Sequence, residues 1–207
     1  MSVPTTITLR APSKYSSASP SGLAPTASPP LEWLHRTWSV THSTLSMWRS
    51  ARNVRITYTP LPPHNPSTSG AYRIDDLVEY ESVKGKGGVK TVAGVDTASK
   101  PGDTGAWDWK GKGWLFFVSS HWEVLGWGER PLPGAEGGVE RWVVTWFAPT
   151  LFTKEGIDVY SDRREGVSKE TLDEIMAALK GLDAKHVAVM CDRDMRPVAI
   201  ELPWKEG

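Results

Sequence analysis

One cysteine, Cys191, stands in the 207-residue sequence, so no intramolecular disulfide can brace the fold and no zinc site can be built from several thiolates. The ordinary role for such a thiol is a small buried apolar side chain. An excess of charge of one sign is missing too. The 24 Lys and Arg balance 24 Asp and Glu, which leaves no cationic surplus for a nucleic-acid backbone. No uncharged apolar run approaches the roughly 18 residues of a membrane span, and the first residues lack the hydrophobic core of a secretory signal. A cytoplasmic setting without a membrane span is the expectation. The sequence also lacks a Ser-His-Asp order, a histidine pair at helical spacing and a dinucleotide fingerprint, and "VKGKGGVK" at 83–90 lacks the Lys-Ser/Thr ending of a phosphate loop. Neither metal nor cofactor is expected.

Residues 1–30 contain no acidic side chain and few large aliphatic ones, while Ser, Pro, Thr and Ala dominate. Such a segment buries too little apolar surface to offset its ordering entropy, so a disordered tail is expected over 1–30, followed by one domain over 31–207. What the domain has in quantity is tryptophan, eleven in all, which points to a core or cavity walled by aromatic faces.

From residue 37 the chain becomes short runs of β-branched and aromatic residues separated by Gly, Pro, Asn and Asp. Strands are predicted near 37–43, 53–59, 75–82, 89–95, 105–110, 113–119, 121–127, 140–148 and 156–161. In "NVRITYT" the two-residue period sets Val54, Ile56 and Tyr58 against Arg55, Thr57 and Thr59. In "ERWVVTWFAP" it sets Trp142, Val144 and Trp146 against Val143, Thr145 and Phe147. One helix stands out. Ser168 provides an N-cap, Leu172, Ile175, Met176 and Leu179 recur at helical spacing, and Gly181 supplies the stop. A short strand is expected after it, in "HVAVMCD". So many consecutive antiparallel strands leave exposed edges unless the last joins the first, which makes the fold class all-β, an up-and-down barrel with one C-terminal helix packed outside. An eight-stranded barrel is either filled by side chains or holds one small ligand.

Two pieces, "LHRTWSVTHS" at 34–43 and "GIDVYSDRREGVSKETLDEIMAALKGLDAKHVAVM" at 156–190, resemble the lipocalins and the wider calycin superfamily. The resemblance implies an opening strand whose Trp38 sits at the closed end of the barrel, with Arg163 or Arg164 laid over the indole in a cation–π contact. Where that family places a glycine two residues before the tryptophan, this chain has Arg36.

Several polar and aromatic residues are candidates for a barrel site. His42 shares strand parity with Trp38 and Val40, so an inward Trp38 puts His42 inside, either hydrogen-bonded at the rim or against a ligand. His121 and Glu123 share a face if residues 113–127 form one long bent strand. If Ser119 to Trp122 is a hairpin turn, His121 is a loop residue. Tyr58, Tyr80, Trp107, Trp109, Phe116 and Trp146 would supply the wall. The expected partner is a small, largely apolar ligand, with His42, His121 and Glu123 fixing its polar ends. An isomerase or cyclase of a secondary metabolite is the alternative, with the same three residues as acid–base groups.

Overall fold

In the computed structural model, which describes residues 7–16, 28–63, 71–133 and 138–206, the β-branched and aromatic runs pair with their chain neighbours. They form β1 (Thr37–Ser43), β2 (Ala51–Leu61), β3 (Arg73–Ser82), β4 (Lys90–Ala98), β5 (Ala106–Gly111), β6 (Ser119–Pro131), β7 (Val139–Phe147) and β8 (Gly156–Ser161). Every pairing is antiparallel, the order runs from β2 round to β8 and β1, and Trp38↔Ile56 in the β1–β2 ladder closes the ring. Closure removes the edges that a long meander would otherwise expose. A two-residue strand, β9 (Arg196–Pro197), lies beside the end of β1.

Strand alternation divides the apolar side chains between two cores. The inner face carries Trp38, Val54, Ile56, Tyr58, Ile74, Trp107, Trp122 and Val143. The outer face of β6 to β8 carries Trp142, Val144, Trp146, Ile157 and Val159, covered by Ile175 and Leu179 of α2 (Lys169–Lys180) and Val187 and Met190 of α3 (Lys185–Asp194). Both sequence alternations fall this way, and Ser168 caps α2 by accepting from the Thr171 amide. Cys191 is buried in the outer core, where burial pushes its thiol up to about 12.

The "HVAVMCD" stretch is helical rather than a strand. Val187, Met190 and Cys191 are its buried residues, at the three- and four-residue spacing of one helix face. The strand expected at 113–119 is also absent. A 3₁₀ turn at Gly113–Leu115 fills the β5–β6 connection, with Gly113 at φ 57° and the Gly111 Cα packed so closely on Leu115 that a Cβ would meet its carbonyl oxygen at 2.4 Å.

A short helix, α1 (Leu31–Leu34), leads into β1 at one end of the barrel, and Trp38 Nε1 donates to Leu34 O at 3.0 Å. The cation over Trp38 is Arg36, whose Cζ lies 5.4 Å from the ring centroid and equally near Trp33. Arg163 instead pairs with Glu165, and Arg164 stacks on Trp204 at 4.9 Å. Hairpin connections of an up-and-down barrel alternate between ends, so the loops at 44–50, 83–89, 112–118 and 148–155 share the opposite end.

Composition predicts disorder throughout 1–30, but residues 7–16 lie along the outside of β6. Arg10 N donates to Leu125 O at 2.8 Å, Ile7 joins the outer core, and Leu9 covers the bare Cα of Gly126. Specific polar contacts, described below, order a segment that its hydrophobicity alone would leave loose. Residues 1–6 and 17–27 of the expected tail lie outside the described residues.

Candidate functional site

Among the inward side chains, Trp107 and Trp122 are direct cross-strand partners with rings 5.9 Å apart and 16° from parallel. The Tyr58 ring also stacks on Trp122, at 5.7 Å and 8°. Because β2 and β6 are not neighbours in the sheet, Tyr58 reaches Trp122 across the lumen, and the stack forms a partition rather than an open wall. Tyr80 meets Trp48, which comes from the 44–50 loop, in an edge contact of 5.6 Å. Trp109 lies over Gly94, whose missing Cβ leaves room for the indole.

Around this partition the inner face is polar. Asp76 of β3 and Asp96 of β4 are diagonal neighbours, since Asp96 pairs with Ile74. Trp122 Nε1 donates to Asp96 Oδ1 at 2.7 Å, whereas Asp96 Oδ2 and Asp76 Oδ1 are buried without a hydrogen-bond partner. Burial raises both acids. The charge of Asp75 adds to the rise at Asp76, and that of Asp76 adds to the rise at Asp96. Two carboxyls so placed cannot both ionise readily, so the pair holds a proton near neutral pH. On β8, burial pushes Asp158 up to about 7 against the hydrogen bond from Ser43. The neighbouring Tyr160 hydroxyl and Thr145 Oγ1 are buried and adjoin one another and Tyr58 without a well-formed hydrogen bond. A belt of acids and hydroxyls thus runs from Asp96 to Ser43.

Of the nine residues expected to form the site, Tyr58, Tyr80, Trp107 and Trp109 face the lumen. Five do not. A β-bulge pairs Val40 with Tyr160 but His42 with Val159, so His42 faces outward with Val159 instead of inward with Trp38. Phe116 sits in the 112–118 turn and is exposed. Trp146 belongs to the outer core, where its Nε1 donates to Glu155 Oε1 at 2.7 Å. His121 and Glu123 do lie on one strand and one face, but Trp122 between them points in and they point out.

The outward pair does a different job. Glu123 accepts from Arg10 Nη1 at 2.6 Å, Ser13 N at 3.0 Å and Ser13 Oγ at 2.5 Å, with His121 Nε2 at 3.6 Å. Burial would raise its pKa, but the donors from His121, Ser13 and Arg10 outweigh burial and hold the carboxyl at about 2. His121 is raised, first by Glu123 and then, against burial, by Asp108 at 2.8 Å. These contacts anchor residues 10–13 to the barrel.

The functional candidates that sequence reasoning passed over are Asp76, Asp96, Asp158 and Tyr160. Their signal was strand parity. Asp76 alternates with Ile74 and Val78, Asp96 with Ala98, and Asp158 with Tyr160, so each acid stands on an apolar face.

A cleft of about 910 Å³ opens outside the barrel between α3 and the 44–50 and 148–155 loops, and Arg49, Lys154, His186 and Arg196 are among its lining. Two of its charged groups are engaged: His186 faces Glu155 at 3.1 Å, and Arg49 Nη2 donates to the Ser43 and Asp194 carbonyls. Among the described residues no three His, Cys, Asp or Glu side chains converge as a metal ion requires, and no helix is long and apolar enough to cross a membrane.

No family model matches the sequence, and no curated protein matches it. The structure is similar to the crystal structure of lobster apocrustacyanin A1, a lipocalin, with a TM-score of 0.52 at 10% identity, over 97% of this chain and 94% of that one. The chain therefore has the lipocalin fold, an eight-stranded antiparallel up-and-down barrel with helices packed outside its C-terminal strands.

Proposed function

We propose that the barrel binds a small, largely apolar ligand carrying a hydrogen-bond donor, a hydroxyl or an ammonium, and that Asp76, Asp96 and Tyr160 receive it. One observation carries this reading. Four polar atoms on the lumen face, Asp76 Oδ1, Asp96 Oδ2, Thr145 Oγ1 and the Tyr160 hydroxyl, are buried without a well-formed hydrogen bond, with only one another for company. Buried polar groups are ordinarily satisfied, and an orphaned cluster marks where water or a ligand belongs. The wall offers Asp76 and Asp96 only the indole N–H groups of Trp109 and Trp122 and no cationic side chain, so a ligand's hydroxyl or ammonium would add a donor that the protein does not supply. The aromatic rings supply the apolar part of the site, at about 25 cal/mol per Å² of ligand surface buried. The partition of Tyr58, Trp107 and Trp122 requires the ligand to lie against the stack or to displace Tyr58.

Competition among three compounds on one aromatic skeleton, an amine, an alcohol and a carboxylic acid, tests the reading through quenching of tryptophan emission. The amine or alcohol should bind best, D96N and Y160F should weaken binding, and H42A and H121A should leave it unchanged. Preference for the carboxylic acid, or insensitivity to both lumen variants, would overturn it. The shared proton of Asp76 and Asp96 favours a second reading in the same lumen, acid–base catalysis of an isomerisation or cyclisation. Turnover that D96N abolishes while affinity persists would select it over simple binding.

A further inference from the structure

The four loops at the end of the barrel opposite α1 are unlike the rest of the surface. Trp114, Phe116 and Phe117 project from the 112–118 loop and Leu151 and Phe152 from the 148–155 loop, each between 57% and 89% exposed. The two groups form one patch, since the Phe117 and Phe152 rings approach to 6.4 Å. Monomeric proteins rarely expose so many large apolar side chains together without a use for them.

Charge is sorted in the same place. The loops at 44–50, 83–89, 112–118 and 148–155 contain five cations, Arg49, Lys84, Lys86, Lys112 and Lys154, against one acid, Glu155, in a chain whose charges otherwise balance. Lys112 pairs with Asp75 on β3, and Arg49 donates to backbone carbonyls, which leaves three lysines without an ion pair among the described residues. Glu155 itself turns back to Trp146 and Tyr15.

We propose that this end of the barrel docks on an anionic lipid bilayer, with the two aromatic loops entering the headgroup region and the lysines facing lipid phosphates and carboxylates. Exposed Trp, Phe and Leu on loop tips gain by leaving water for the interface, and neither they nor a few cations alone hold a protein firmly. Together they supply the two signals that stable peripheral attachment needs. The charge sorting selects a bilayer over a neutral protein groove, because Lys84, Lys86 and Lys154, free of ion pairs among the described residues, match a surface of uniform negative sign. Docking there would set the end of the lumen flanked by these loops against the phase in which an apolar ligand concentrates.

Flotation of the full chain with phosphatidylcholine vesicles, with and without phosphatidylserine, tests the proposal. Binding to the phosphatidylserine vesicles is expected, weakening as salt rises. The triple variant W114S/F116S/F117S and the charge variant K84E/K86E/K154E should each weaken it by about tenfold or more. These side chains lie on the surface, so an unchanged melting temperature shows that each variant is folded. Failure of the parent to float with phosphatidylserine vesicles, or full binding by the folded triple variant, overturns the proposal. So does concentration-dependent dimerisation that the triple variant abolishes while vesicle binding is unaffected, since the patch would then cover a second copy of the chain.

Discussion

Replacing Glu123 with glutamine tests how the segment 7–16 is held. The carboxylate receives Arg10 Nη1, Ser13 N and Ser13 Oγ, and these donors with His121 hold it at about 2 against an ordinary 4.5. That depression corresponds to about 3 kcal/mol favouring the charged, clamped form. Glutamine keeps the size and one acceptor but loses the charge, and its amide meets the Arg10 guanidinium donor to donor. Because Arg10 is partly open to water and can rehydrate, about 2–3 kcal/mol of local stability should be lost at pH 7. The sensitive assay is hydrogen exchange at the Arg10 amide, which donates to Leu125 O. Its protection should fall by roughly 30- to 160-fold in E123Q. The sign with pH follows from the depressed carboxyl: stabilisation is complete above about pH 4.5 and is lost as pH falls toward 2. Parent protection should therefore decline over that window, and E123Q should show no such decline. An Arg10 amide equally protected in both proteins at pH 7 would refute the clamp.

Two further outcomes follow from the lumen. Burial raises Asp158 from 3.8 to about 7, so the folded state binds the extra proton and stability falls by up to about 1.4 kcal/mol per pH unit between those values. D158N should be more stable than the parent at pH 8 and close to it at pH 4 in urea melts, and parallel profiles would count against this. Gly94→Ala places a Cβ 2.1 Å from Trp109 Nε1, and moving that indole should cost about 1–3 kcal/mol by the same melts; an unchanged midpoint would show that Trp109 is loosely held.

Where one physical rule governed a segment, the sequence could be read. Val54, Ile56 and Tyr58 alternate without interruption and all face the lumen, and Ser168 and Gly181 bound α2 as their chemistry requires. Reading failed where two rules compete. The extra residue at Thr41 turns His42 outward, and no pattern of side-chain types records a bulge set by the partner strand. "GKGWLFFV" has the composition of a buried strand, yet its glycines make a tight turn and its aromatics stand in water. Hydrophobicity measures a preference for burial and is silent on whether a functional surface overrides it. Residues 7–16 depart from their composition for the opposite reason, because composition weighs apolar area and cannot see that Arg10 and Ser13 meet a carboxylate 110 residues or more away.

A neighbouring histidine draws attention to Glu123, whereas strand parity alone puts Asp76, Asp96 and Asp158 on the apolar faces of their strands. All four are buried, so burial alone does not separate them; the number of donors does. Glu123 faces a guanidinium, a backbone amide, a hydroxyl and an imidazole, and stays ionised. Asp96 has a single indole N–H donor and, beyond it, only the proton it shares with Asp76, and is raised. A carboxyl already surrounded by protein donors has nothing left to offer a ligand, whereas one with an empty acceptor gains from any donor that arrives. The outer acid is thus complete as a structural clamp, and the inner acids are incomplete in the way that a binding site is incomplete before its ligand enters.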